Sequence, residues 1–217
     1  MLLTRQQAQD FYDRFGSKQD AQAFYEDAAL DDLVAHAALD RSASVFELAS
    51  GTGRFALRLL SRHLPPTATY LGIDFSSTMT ALAKQRIAPY AERARVVQSD
   101  GAMQFPLPDH SVDRVVCVYL FDILPEHDIR RAIAEAHRVL TPGGKLCVAS
   151  LTAGVTPASR FVSALWSLVF RLHARLVGGC RPLRLDQFFD PASWSLDRRN
   201  VVVKFGVPTE VVIATPR

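Results

Sequence analysis

Hydrophobic and polar positions change period along this chain, and the changes mark its elements. Residues 4–15 and 20–39 are rich in Ala, Gln, Asp and Leu, which predicts two helices separated at Gly16. Short apolar runs then alternate with amphipathic ones. "SVFELA" predicts a strand, and 54–62 a helix closed by Pro65 and Pro66. "TYLGIDF" predicts the next strand and 77–90 the next helix; "ARVVQSD" and "SVDRVVCVYL" give two more strands. A helix over 126–140 stops at "TPGG", a turn signal, and "KLCVAS" is the fifth strand. Strands and helices that alternate in this way predict a parallel sheet with helices on both faces, whose ligands bind beyond the carboxyl ends of the strands.

After Ser150 the pattern changes. Residues 159–177 predict one long helix, with Arg160, Ser163, Ala164, Ser167, Arg171, Ala174 and Arg175 on one narrow stripe and apolar residues elsewhere. The end of the chain reads as two strands around a "GVPT" turn, an antiparallel hairpin on the sheet edge. The expected class is therefore α/β: a Rossmann-like, doubly wound, seven-stranded, mostly parallel sheet with an antiparallel C-terminal hairpin. The expected organisation is one domain over 1–217, with a helical cap (1–40), a cofactor-binding core (41–150), and a lid helix with the hairpin (151–217).

Composition changes this picture little. The 217 residues carry a net charge of +3, too small to argue for a nucleic-acid partner. Between Arg160 and Lys204, however, eight Lys/Arg face three Asp, an excess that suits an anionic surface as well as a solvated face. Cys117, Cys147 and Cys180 are too scattered for a disulfide framework or a zinc site, so no metal is expected. The N-terminus does not read as a signal peptide, and no apolar run approaches the ~20 residues of a spanning helix. A reducing, cytoplasmic setting is the expectation.

The candidate chemistry begins at "VFELASGTGRFALRLL". Gly51 and Gly53 let backbone approach a ligand, and the helix that follows aims free N–H groups at a negative group. "GTGRFA" with Asp74 also fits a dinucleotide fingerprint, so this turn alone leaves a pyrophosphate, an amino-acid carboxylate and no ligand open. Glu47 inside the strand asks for a cation, which an amino acid's ammonium supplies and a pyrophosphate does not. Asp100, ending the third strand, is placed to accept from an exocyclic amine.

With "ELASGTGRF", "GIDFSSTMTALAKQR", "VVQSDGAMQFPLPDHSVDRVVCVYLFDILP" and "HRVLTPGGKL", the chain resembles the class I S-adenosylmethionine-dependent methyltransferases. It is most similar to the branch that holds the quinone-biosynthesis and phospholipid enzymes. The resemblance covers residues 10–150 and, in outline, the hairpin. It implies S-adenosylmethionine as cofactor and S-adenosylhomocysteine as product. It implies that Glu47 meets the methionine ammonium, directly or through water. Ala49, Ser50, Gly51 and Gly53 would line the methionine part with backbone, and Asp74 would accept the ribose hydroxyls. Phe75 and Met79 would bracket the adenine, and Asp100, Gly101 and Ala102 would bind its edge. Val118 and Tyr119 would start the floor of the transfer site, with Tyr12 closing over the methionine or serving as a packing aromatic. The family has glycine and then glycine or cysteine where this chain has Ala49 and Ser50. That departure keeps open a non-catalytic protein that binds through the same fold; a nicotinamide-dependent oxidoreductase is the other alternative.

Methyl transfer needs a base only when the acceptor holds a proton. Asp122, flanked by Phe121 and Ile123, is the candidate base or substrate-binding group, with Tyr119 beside it; a helix-capping or arginine-paired carboxylate is the alternative. The 159–177 helix has three readings. It is a lid whose Trp166 and Phe170, with Phe121, enclose a small hydrophobic, aromatic or lipid-like acceptor; a helix lying on a membrane surface; or a helix buried against the core or in a homodimer seam.

Overall fold

The structure is a computed structural model that describes residues 2–217. The chain opens with α1 (Arg5–Phe15), whose first turn is closed by a capping box: Thr4 Oγ1 accepts from the Gln7 N–H and Gln7 Oε1 from the Thr4 N–H. The helix expected over 20–39 is shorter. Gly16–Gln22 winds as a tight 3-10 strap, and α2 runs Ala23–His36. Then follow β1 (Ser44–Leu48), α3 (Arg54–Arg62), β2 (Thr69–Asp74), α4 (Ser77–Ile87), β3 (Ala94–Gln98), β4 (Val112–Val118), α5 (Glu126–Val139) and β5 (Leu140–Leu151). The chain ends with α6 (Pro157–His173), β6 (Trp194–Lys204) and β7 (Val207–Pro216).

The seven strands lie in the order β3-β2-β1-β4-β5-β7-β6. The first five are parallel; β7 is antiparallel to both β5 and β6. The fold class expected from the sequence is the one observed. Each buried strand divides its residues between two cores, as the period of two demands. Phe46, Val115, Leu146 and Val212 join α5 on one face. Val45, Val116, Cys147 and Ile213 join α2 and α3 on the other. The direction of winding reverses between β1 and β4, and the cleft opens at their carboxyl ends.

Arginines from two elements hold α2 over this sheet. Arg54 pairs with Glu26 and Asp27 and Arg58 with Asp31, all from α3, while Arg198 of β6 pairs with Asp32.

Three local expectations are corrected. "TPGG" turns the chain inside β5 and not ahead of it: Val112 pairs with Leu140 and Arg114 with Lys145, so residues 141–144, with Gly143 at φ +77°, form an unpaired bulge. The hairpin turns at Phe205–Gly206 instead of at "GVPT", because both residues adopt the positive φ of a two-residue turn. The third concerns α6. Its small residues Ser159 and Ser163 face the protein, while Phe161, Leu165, Leu168 and Leu172 lie outside. The helix is therefore not buried by its apolar side.

Candidate functional site

The turn after β1 is shaped by how closely α3 and α4 pack. A Cβ on Gly53 would stand 2.8 Å from the Ala83 Cα, and Gly53 sits at φ +75°, so only glycine fits there. Gly51 is at φ +53°, and its N–H donates to Asp74 Oδ2 at 2.9 Å. Asp74 Oδ1 accepts from the Ser76 N–H at 2.9 Å. The Asp74 carboxylate thus ties the β1 turn to the start of α4. Burial pushes its pKa up to about 6, against the pull of those N–H groups. Ala49, where the resemblance expects glycine, adopts φ +60° and so holds a methyl group in the left-handed region.

Glu47 faces the α2–α3 side of the sheet and is fully buried. Oε2 accepts from the Tyr70 hydroxyl at 2.5 Å, a contact made possible by Gly72, whose missing side chain leaves room for that hydroxyl. Oε1 has no partner, nor has the neighbouring Ser50 hydroxyl. Burial raises the Glu47 pKa to about 8; the Tyr70 hydrogen bond opposes this and the Asp74 charge adds to it. A small cavity beside these groups is walled by Gln19, Asp20, Glu26, Arg54, Val118 and Tyr119. The 3-10 strap closes it from above: Asp20 is held by Arg86 at 2.7 Å and by Thr52 at 2.6 Å, and Gln19 Oε1 would lie 3.1 Å from a Cβ on Gly51.

A second cavity, of about 450 Å³, lies along the rim beyond β2 and β3, lined by Arg5, Phe75, Gly101, Met103, Leu120 and Leu124 among others. Phe75 and Gly101 thus share one wall. Met79 is not on that wall; it is 1 % exposed in the first turn of α4, its N–H held by the Ser76 hydroxyl, and Met103 takes the lining position. Asp100 is exposed; its Oδ1 accepts from the Ala102 N–H at 2.8 Å.

Beyond β4, Tyr119 adopts φ +53°; its hydroxyl meets Thr209 at 3.2 Å and its ring packs edge-on against Tyr25. Asp122 is fully buried. Its carboxylate lies beside the Cys180 thiol and the Ser150 hydroxyl, yet neither oxygen has a partner at hydrogen-bond geometry. Burial raises its pKa to about 6. Its side chain caps no helix and makes no ion pair; Arg181 donates from its backbone N–H to the Asp122 carbonyl at 2.9 Å, and its nearby charge opposes the rise in pKa. Tyr12 reaches the same neighbourhood from α1; its hydroxyl donates to the Gly178 carbonyl at 3.4 Å, and burial with the nearby Cys180 and Asp122 raises its pKa.

Phe121 belongs to the main core at 1 % exposure and lines neither cavity; Leu120, its neighbour, lines the one that Phe75 and Gly101 share. Trp166 is half-buried with Nε1 donating to the Cys180 carbonyl at 3.0 Å, and Phe170 is half-buried; neither lines one of the two cavities. The sequence reading missed Glu26, Arg54, Cys180 and Met103. Glu26 had a signal, an acid in register with the buried Leu30 and Leu33 of α2. Its pKa is pushed up to about 7 by burial, against Arg54 at 2.8 Å. Cys180 had none, since only the path of the chain after α6 brings it to Asp122.

Residues 45–144 match the methyltransferase domain family. Among curated relatives, the ubiquinone/menaquinone biosynthesis C-methyltransferase of Geobacter sulfurreducens is 33 % identical over 137 residues, 62 % of this chain and 51 % of that protein. The demethylmenaquinone methyltransferase of Deinococcus radiodurans is 35 % identical over 127 residues, 58 % of this chain and 49 % of that protein. The chain spans about half the length of these relatives. Solved structures of the same fold include the [4+2]-cyclase SpnF (TM-score 0.65, 20 % identity, 86 % of this chain and 80 % of that one). Another is the mitomycin 7-O-methyltransferase MmcR (TM-score 0.66, 15 % identity, 88 % and 54 %). Strand order, family match and relatives point the same way: residues 45–144 carry a methyltransferase domain, and the chain is similar to quinone-biosynthesis methyltransferases over about 60 % of its length.

Proposed function

We propose that this protein methylates a small hydroxylated aromatic acceptor of the quinol type, with S-adenosylmethionine as donor. The observation that carries the reading is Asp122: a fully buried carboxylate without a hydrogen-bond partner, at the end of β4, with a pKa raised by burial to about 6. A base with that pKa is ionised at neutral pH and is matched to a proton that has to leave during reaction. The relatives' names supply the acceptor class.

The donor set fits the cofactor. The unpaired Glu47 Oε1 suits an ammonium, and the free N–H groups at the start of α3 suit a carboxylate. Backbone from Ala49 to Gly53 would line the methionine part, and Asp74 would accept from the ribose hydroxyls. Phe75, Gly101 and Met103 would hold the adenine. When bound, the cofactor supplies an electrophilic methyl group. The chain orients the acceptor and excludes water around it. Asp122 takes the acceptor's hydroxyl proton, and the electron pair left on oxygen enriches that oxygen and the ring carbon beside it. A phenol near pKa 10 stands about four units above this base, so complete transfer costs ~5.5 kcal/mol, and the proton is shared in the transition state.

The test is calorimetric titration with S-adenosylmethionine, S-adenosylhomocysteine and NADH, followed by turnover of a hydroquinone that lacks one ring methyl. The adenosyl ligands should bind at micromolar concentration, lose most affinity in Asp74→Ala, and support methylation. Binding of NADH alone would overturn the reading. Adenosyl binding without turnover of any quinol or phenol would leave the non-catalytic alternative, for which Ala49 at φ +60° is the structural argument.

A further inference from the structure

The outer side of α6 is an apolar stripe with nothing packed on it. Phe161, Leu165, Leu168 and Leu172 follow one another at steps of four, three and four, and Leu176 continues the line in the 3-10 turn Ala174–Val177. These five side chains are 52–75 % exposed. The opposite side holds the helix to the protein: Ser163 Oγ accepts from the Gly154 N–H at 3.1 Å, and Trp166 bonds the Cys180 carbonyl. One flank of the stripe is basic. Arg160, Ala164, Ser167 and Arg171 repeat the same steps one residue earlier, and Arg175 follows. None of these three arginines pairs with a carboxylate among the described residues, whereas Arg54, Arg58, Arg86, Arg138, Arg184, Arg198 and Arg199 all do. The patch extends to the hairpin tip, where Gly206 abuts Val162 of α6 and the exposed Phe205 packs against the exposed Phe24.

We propose that this face docks on an anionic lipid surface, with α6 lying in the interface. Charge decides between lipid and a second copy of the chain. Residues 136–185 contain seven Lys/Arg and no Asp or Glu. Two copies meeting along α6 would bring unpaired arginine flanks together with no acid in the segment to answer them; an anionic headgroup layer answers each one. No helix among the described residues is long and apolar enough to cross a membrane, so the mode is adsorption. The placement also bears on access. α6 is tied to Cys180, beside Asp122, so the docked face roofs the acceptor side of the cleft. That last point rests on the function proposed above; the docking itself does not, and it is measured without cofactor or acceptor.

The experiment is co-sedimentation of the intact chain with vesicles of phosphatidylcholine alone or mixed with phosphatidylglycerol, at low and high salt. The protein should pellet with the mixed vesicles, and added salt should release it. Arg160→Gln and Arg171→Gln should each lower the partition coefficient about fivefold. Leu165→Ser with Leu172→Ser should abolish binding while thermal stability and S-adenosylhomocysteine affinity stay unchanged, since those side chains are exposed. Equal binding to neutral vesicles, or no binding to either, overturns the proposal. So does a concentration-dependent dimer that the Leu165/Leu172 pair of substitutions dissociates, which would assign the stripe to a second copy.

Discussion

At the end of β1 the cleft is made largely of backbone: a turn at positive φ, N–H groups at the start of α3, and Asp74 tying the turn to α4. Behind the end of β4 lies a cluster of side chains from four distant places, Tyr12, Cys180 and the buried Asp122 and Ser150. Both rims bury a carboxylate with an unpaired oxygen, but Glu47 keeps the Tyr70 hydroxyl and Asp122 has no partner. A backbone rim suits a ligand that never changes, because its recognition is written into the chain's path. A side-chain rim suits an acceptor, because substitutions there change what is received without moving the sheet.

The largest effect should separate the rims. Asp122→Asn should lower turnover ~10²–10⁴-fold, the range for loss of an acid–base group, with S-adenosylhomocysteine affinity unchanged. The wild-type rate should rise as pH passes about 6, and the variant should lack that limb. Stability runs the opposite way with pH. A carboxyl raised in the fold stabilises it below the unfolded pKa near 4 and loses that contribution as pH rises through about 6, so Asp122→Asn should flatten melting temperature over this window. Next, Gly53→Ala should destabilise by ~2–4 kcal/mol, from strain at φ +75° and the clash with Ala83, read as a lower melting temperature.

Glu47→Gln should weaken S-adenosylhomocysteine binding ~10–100-fold, the worth of a charged hydrogen bond, while the ligand-free stability changes little. Its pKa near 8 means that Glu47 holds a proton at pH 7 until a cation arrives. Wild-type binding should therefore release up to one proton, measurable by calorimetry in buffers of different ionisation enthalpy, and the variant should release less. The smallest effect belongs to Ala49→Gly. Relief of a left-handed alanine, offset by the added freedom of glycine in the unfolded chain, should leave a gain of under ~1 kcal/mol in chemical denaturation.

The same contrast explains what could be read from the residues. The parallel sheet was legible because its strands are short apolar runs between helical repeats, and the β1 rim was legible because a turn with Gly51 and Gly53 is local in sequence. Asp122 was found as an acid between apolar neighbours, but Cys180 and Ser150 meet it only through tertiary folding. Met103 was missed in favour of Met79 because both lie close after a strand, and only the direction of α4 decides which is covered. The apolar residues of α6 left a lid, a membrane surface and burial open, since so wide a face suits each of them. Ser159 and Ser163 make the inner contact together with Val162 and Trp166, which pack against Tyr25, Leu151 and Val207. "TPGG" was legible as a turn; that Leu140 pairs ahead of it, and so starts β5 early, depends on Val112 of a neighbouring strand.

The strap over Gly51 also bears on timing. Gln19 stands over the turn and Asp20 is pinned by Arg86 and Thr52, so a ligand reaching Gly51 first has to part those contacts. Arrival at the site is then paced by the protein's own opening, and the observed association rate should level off as ligand concentration rises. Because the pin is a half-exposed ion pair, salt that screens it should raise that ceiling. The residence of the spent cofactor would be set by the same latch.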